Sequence, residues 1–408
     1  MAAPISERNA ARSLAPSLTK RVLQQIHLWL GVGLSIPLIT LGITGTILTF
    51  QHGFDDSGQD KTRLVQTVAA QPISRIIEAA QAEAPQGSAP AQYTAPTEPG
   101  APAIVRLQTA RGGNAAPGGR PNLGIQVTVD PATLNVSKPA DPSSGFLRTL
   151  HILHGSLMIP GRDGREIVGW LGVVMLGMGI SGVVLWWPRA GRWKAAFKVR
   201  KHATGAQFHR ELHGAVGIWA LVVFIVVSFS GVYLAFPETT GSAMSVVLPD
   251  AHLRPNAPPP PVSRPAEAQA IDIDRAVAIG QQALPAYFLR SAAFPARPDQ
   301  PYRLVFAQPG AATRAPAATV FVDPYAAQVM EVRDPSAQPI GQRVAAWQRA
   351  LHEGSGLGVV WQILVGLSGL LPALFAVTGI SMWLMRRRAK ARLRATRETT
   401  AIAAEAAE

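Results

Sequence analysis

The sequence predicts an integral membrane α-helical protein: four transmembrane helices arranged as a duplicated hairpin, with two periplasmic α+β modules. Three observations carry that prediction. Four apolar stretches are each long enough to cross a bilayer, which takes about 20 residues for a ~30 Å hydrocarbon core. Lys and Arg crowd the segments on one side of those stretches. Histidines, Ser/Thr-Gly pairs and aromatic exits recur at matched positions in the two halves of the chain.

Composition agrees. Of 408 residues, 48% are hydrophobic and only 15% charged, with a net charge of +13. Apolar spans alternating with polar loops account for that mixture better than one soluble globule does. There is no cysteine, which excludes disulfides, thiolate metal sites, cysteine-held iron–sulfur clusters and thioether-attached haem.

Residues 1–26 are polar and basic (Arg8, Arg12, Lys20, Arg21). Residues 27–50 form the first span. It is longer than a signal-peptide core and lacks a small-residue cleavage site at its end, so it reads as an uncleaved anchor. Pro37 is expected to kink it, which membrane helices tolerate. Residues 51–150 form the first module, rich in Ala, Pro, Gly and Gln. Within it Ser74–Ala84 has helical spacing, Ile104–Thr109 and Gly124–Asp130 alternate like strands, and Pro131 turns the chain.

Residues 151–187 hold an outer histidine segment and the second span, Ile167–Trp187. Residues 188–212 are a basic loop (Arg189, Arg192, Lys194, Lys198, Arg200, Lys201, Arg210). The third span is 213–236 and the second module 237–350. Residues 351–385 hold another outer histidine segment and the fourth span, roughly Val359–Leu384. The tail, 386–408, opens with Arg386, Arg387, Arg388 and Lys390. The positive-inside rule places these basic segments and both termini in the cytoplasm and both modules in the periplasm of a bacterial inner membrane. The basic clusters thus read as topology signals, not as a nucleic-acid surface.

The two halves repeat. Thr44-Gly45 follows His27 at the same interval at which Ser230-Gly231 follows His213. Ser181-Gly182 follows His154, and Thr378-Gly379 follows His352, at intervals differing by one residue. The modules match as well: SRIIEAAQAEAP and IDRAVAIGQQALP each precede strand-like runs, and each module reaches a Val-Asp-Pro corner, at Val129–Pro131 and Val322–Pro324. A repeat on this scale is architecture. The Ser/Thr-Gly pairs read first as packing devices, because small residues let membrane helices approach closely. The same lack of side chain would also clear a flat macrocycle.

Of nine histidines, eight fall at or near span ends: His27, His202, His209 and His213 inside, and His52, His151, His154 and His352 outside. His252 lies in the second module. An intramembrane imidazole relays protons, ligates a metal or holds haem axially. A relay recruits Asp or Glu within the spans, and the four spans contain none. A bare transition-metal site favours carboxylate or thiolate help. Neutral imidazoles paired at one depth among Trp, Phe, Met and Gly suit bis-histidine haem b, whose filled axial positions favour electron transfer. Depth pairs His27 with His213 inside and His154 with His352 outside, giving two haem irons stacked across the membrane. His151 is an alternative to His154. His209 is an inner alternative, although Leu23 stands at its matching place in span one, and His52 is a supplement outside.

The ordered set HLWLG, LHILHGSLMIPGRDGREIVGWLG, HRELHGAVGIW and LHEGSG, together with the Val-Asp-Pro corners, resembles the PepSY-associated transmembrane helix family over nearly the whole chain. The resemblance implies an inner-membrane protein linked to iron uptake, with PepSY-like periplasmic modules and two haems b held by His27, His213, His154 and His352. It implies a membrane-bound oxidoreductase, a ferric-siderophore reductase, acting on a ferric siderophore or another periplasmic electron acceptor. Some relatives carry a fused flavin and nicotinamide domain. The short cytoplasmic segments here leave no room for one, so electrons are expected from a separate cytoplasmic or quinol donor. Two other classes stand beside this reading. One is a non-enzymatic PepSY regulatory or binding protein that controls a periplasmic partner; the other is a transporter, which the uncharged spans disfavour.

Overall fold

The computed structural model describes residues 18–51, 71–96, 100–108, 124–137, 139, 145–251, 259–262, 268–311 and 315–405. His52 and His252 lie outside these. In chain order come α1 (Leu18–Gly33), α2 (Ser35–Thr49), α3 (Ile73–Ala82), β1 (Ala89–Thr94), β2 (Ala103–Gln108) and β3 (Ile125–Val129). Next are α4 (Phe146–Ser156), α5 (Gly161–Trp186), α6 (Trp193–Ala196), α7 (Gly205–Ala235), α8 (Pro237–Met244) and α9 (Ile273–Ala283). The chain ends with β4 (Phe288–Ala293), β5 (Tyr302–Ala307), β6 (Ala318–Val322), β7 (Val329–Arg333), α10 (Ile340–Glu353), α11 (Gly358–Ser368) and α12 (Leu371–Glu405).

Among the described residues, three helical stretches are long and apolar enough to cross a membrane: Gly161–Trp186, Gly205–Ala235 and Gly358–Thr400. A fourth is added if α1 and α2, bent by 64°, are one span. The bend is not at Pro37. The helix breaks at Leu34, because Pro37 offers no N–H to the Gly33 carbonyl four residues back and its ring crowds that carbonyl. The Ser35 hydroxyl donates to the Val32 carbonyl at 2.8 Å and so satisfies part of the opened turn. Helix α1 also starts well before His27, which therefore sits inside a helix and not at its entrance.

Pro372 has a similar effect on the last span. It cannot donate to Ser368, and α11 ends there before α12 resumes at Leu371. Helix α2 packs against this interruption so closely that a Cβ on Gly42 would collide with the Gly369 carbonyl. Thr46 Oγ1 donates to the Gly366 carbonyl at 2.8 Å across the same contact. Helix α12 continues through the basic residues of the tail to Glu405.

The chain divides into two compact units. One comprises Met1–Ile47, Gly169–Phe229 and Leu364–Glu408, and the other Leu48–Val168 and Ser230–Ile363. The second unit contains both expected modules, and their strands form one antiparallel sheet in the order β3-β2-β1-β4-β5-β6-β7. Two modules read as separate are thus joined edge to edge, with Tyr93 opposite Ala292 and Thr94 opposite Ser291.

The repeat holds at atomic detail. Bulges fall between Pro90 and Gln92 in β1 and between Leu289 and Ser291 in β4. Gln71 N donates to the Pro131 carbonyl at 2.8 Å and Ile271 N to the Pro324 carbonyl at 2.7 Å. The carboxylates of Asp130 and Asp323 open the same turn, accepting from Ala132 N at 2.9 Å and Tyr325 N at 2.7 Å. Each turn then passes through a left-handed residue, Leu134 or Ala327. The copies differ after the corner, where β7 is matched only by a single bridge between Val129 and Val136.

Helices α3 and α9 close the core, burying Ile76, Ile77, Ile273 and Ala276 with Val105, Leu107, Val127, Leu304, Phe306 and Val320. Gly280 is required there, since a Cβ would sit 2.6 Å from Leu304 Cδ1. Helix α3 has no capping side chain of its own. Its first N–H groups, on Ile73 and Ser74, donate instead to Asp274 of α9, at 2.8 and 3.2 Å. One copy therefore caps the helix of the other. Asp274→Ala should lower the stability of the sheet by about 1–2 kcal/mol, read as a lower unfolding temperature of the purified chain. Glu78→Ala, on the exposed face of α3, should leave it unchanged.

Candidate functional site

Helix α1 carries His27 with Gly31 one turn further on, and α7 carries His213 with Gly217 one turn further on. Side chains four apart share a helix face, so each imidazole has a glycine beside it along its own helix. The two rings come together with centres 6.4 Å apart and planes inclined at 65°. Two helices supply their hydrogen-bond partners. Ser181 Oγ of α5 lies 2.7 Å from His27 Nδ1, and Thr378 Oγ1 of α12 lies 2.8 Å from His213 Nδ1.

A hydroxyl has one proton. The Met178 carbonyl lies 3.1 Å from the Ser181 hydroxyl and the Leu374 carbonyl 2.8 Å from that of Thr378. With the protons given to those carbonyls, each hydroxyl oxygen accepts the imidazole Nδ1–H. A neutral ring protonated on Nδ1 has a bare lone pair on Nε2, the form in which histidine ligates a metal.

The rings border a cavity of about 510 Å3, within the range that takes a cofactor-sized ligand. Leu28, Val32, Leu221, Phe224 and Phe375 wall it, and glycines open it. A Cβ on Gly379 would meet nothing within 4 Å, and one on Gly182 would meet only His27 Cε1, at 3.7 Å. These helix positions face space that the chain itself does not fill. Phe375 stacks obliquely on His213 with centres 4.8 Å apart. The matching place one turn before Ser181 is Met178, whose Cε lies 3.2 Å from the position a Cβ on Gly31 would take.

The other unit repeats the pairing. His154 near the end of α4 and His352 near the end of α10 have ring centres 6.0 Å apart. His352 Nδ1 lies 3.2 Å from the hydroxyl of Ser230, a fully buried residue. A Cβ on the following glycine, Gly231, would come within 3.0 Å of the His352 ring.

The structure thus brings together His27 with His213 and His154 with His352. His151 is exposed and faces its own helix, with Nδ1 2.9 Å from the Leu147 carbonyl. His209 packs against Phe208 and does not border the cavity. Among the described residues, no three or more His, Cys, Asp or Glu side chains converge as a metal site; the imidazoles come in twos. Ser181, Thr378 and Ser230 are the site residues that packing alone did not identify. Their signal was the fixed interval between a histidine and a Ser/Thr-Gly pair, which puts the hydroxyl at ring height on a neighbouring helix.

The chain belongs to the family of the PepSY-associated TM region, whose model matches residues 24–386. No curated protein gives a significant match.

Thr378→Val removes the hydrogen-bond partner of His213 Nδ1. It should cost roughly 1–2 kcal/mol and lower the unfolding temperature of the purified chain. Thr40→Val, whose hydroxyl donates to the Ile36 carbonyl of its own helix, should have little effect.

Proposed function

We propose that the chain is a di-haem b electron carrier of the bacterial inner membrane, with its termini in the cytoplasm and its sheet, built from two PepSY-like modules, in the periplasm. It passes electrons from the cytoplasmic side to a periplasmic acceptor, for which ferric iron in a siderophore is the best candidate. The protein is then a ferric-siderophore reductase fed by a separate cytoplasmic or quinol donor.

One observation carries this reading: paired imidazoles, with hydroxyls beside His27, His213 and His352, recur in both compact units of a duplicated membrane protein. Two metal–nitrogen bonds of about 2 Å, with roughly 1 Å more to each ring centre, set imidazole centres about 6 Å apart across one metal ion. The two pairs stand at 6.4 and 6.0 Å. Two nitrogen ligands fall short of a tetrahedral site but complete an iron already held in a macrocycle. The open glycine positions and the cavity volume fit a flat group of that size beside the first pair.

Bound at such pairs, haem would supply one-electron uptake and release. The chain's own residues do the rest. Ser181 and Thr378 hold Nδ1 protons so that Nε2 stays available, and Phe224, Phe375 and the aliphatic walls keep water out. Ferric iron is chosen as the acceptor because hard oxygen donors grip it far more tightly than ferrous iron, so one electron loosens the chelate.

His213→Ala should remove one haem and His352→Ala the other, each from a chain that still elutes as folded protein. Gly379→Leu should remove the first haem by filling its space. Dithionite-reduced wild type should be reoxidised by a ferric trihydroxamate with formation of trappable ferrous iron. Full haem content in both histidine variants would refute the pairing.

A further inference from the structure

The cavity beside His27 and His213 has one end unlike the rest. Lys20, Lys198, Arg210 and Arg386 border it. They arrive from four separate places: helix α1, the segment after α6, helix α7 and helix α12. Lys20 lies about 10 Å along α1 from His27, and Arg386 about 12 Å along α12 from Thr378. The one acid on the border, Glu211, is already committed. It accepts from Arg200 Nε at 2.9 Å, Arg200 N at 3.1 Å and Gln207 Nε2 at 3.1 Å. The opening therefore gathers Lys198, Arg210 and Arg386 beside an acid, Glu211, that is held by Arg200 and Gln207.

Membrane topology asks only that cations lie on this side, and Arg189, Arg192, Lys194 and Lys201 of the same loop satisfy it without bordering the cavity. Convergence on a single apolar slot selects a ligand with a flat greasy body and anionic groups along one edge. We propose that this rim, with Arg210 and Arg386 as its strongest donors, binds the two propionate carboxylates of the haem at the first pair. The macrocycle then sits with its carboxylate edge toward the cytoplasmic mouth. The inference rests on the haem reading and adds to it an orientation and the residues that impose it.

The test uses the full chain carrying His352→Ala, prepared haem-depleted and titrated with haem or with haem dimethyl ester, whose carboxylates are blocked. Binding is read from the Soret band. The free acid should bind roughly tenfold more tightly than the ester, and salt should narrow the gap. Arg210→Gln combined with Arg386→Gln should weaken acid binding by a similar factor and leave ester binding unchanged; the ester thereby also reports an intact fold. Equal affinity for acid and ester would overturn the rim assignment and leave the haem reading standing. A low-spin spectrum with neither would overturn both. Loss of ester binding together with acid binding in the double variant would mean that the arginines shape the slot and do not grip carboxylates, which also overturns the assignment.

Discussion

A hydrogen bond between a helix hydroxyl and an imidazole Nδ1, made in an apolar interior, is the constraint on which the rest of this structure depends. An imidazole placed among Leu, Phe and Met without a partner would leave polar nitrogens unsatisfied, at a cost of about 1–3 kcal/mol each. Ser181 and Thr378 partner Nδ1 of the two rings and so remove half of that cost, leaving Nε2 without a protein partner among the described residues. The bare nitrogen is then a liability for folding and an asset for ligation. Glycines at Gly182 and Gly379 keep the space next to it open. Hydroxyl, glycine and histidine are thus one device built from four helices, and its repetition explains why the Ser/Thr-Gly pairs recur along the chain.

The sheet gives the duplication a second meaning. Two copies of one α+β unit are fused through β1 and β4, so the central strands of the sheet belong to different copies. Asp274 crosses the same boundary to cap α3. Neither half has a complete set of hydrogen bonds alone, and the two are expected to fold together. The copies nevertheless diverge where symmetry has no use: β7 extends one edge, while the other ends in a lone bridge at Val136.

Much of this was legible in the residues. Spans, basic loops, the duplication and the four paired histidines all follow from apolar runs and fixed intervals, which are long-range patterns a single sequence records well. Strands β1 and β4 were not legible: APAQYT and FLRSAA carry little strand propensity, and their pairing with each other decides their conformation. The break at Leu34 was displaced from the expected Pro37 because a proline acts on the carbonyl a turn before it. His151 and His154 looked equivalent in sequence. Only helix facing separates them, since His151 turns to the Leu147 carbonyl while His154 meets His352. The hydroxyls were read as packing because their partners lie more than a hundred residues away in sequence.

The most direct measurement is a visible absorption spectrum of the detergent-purified wild-type chain, before and after dithionite, with haem quantified per chain. A di-haem carrier gives a low-spin b-type spectrum and close to two haems for each polypeptide. A colourless protein from haem-replete cells would contradict it. The paired imidazoles would then be structural, and a regulatory role for the sheet would become the leading explanation.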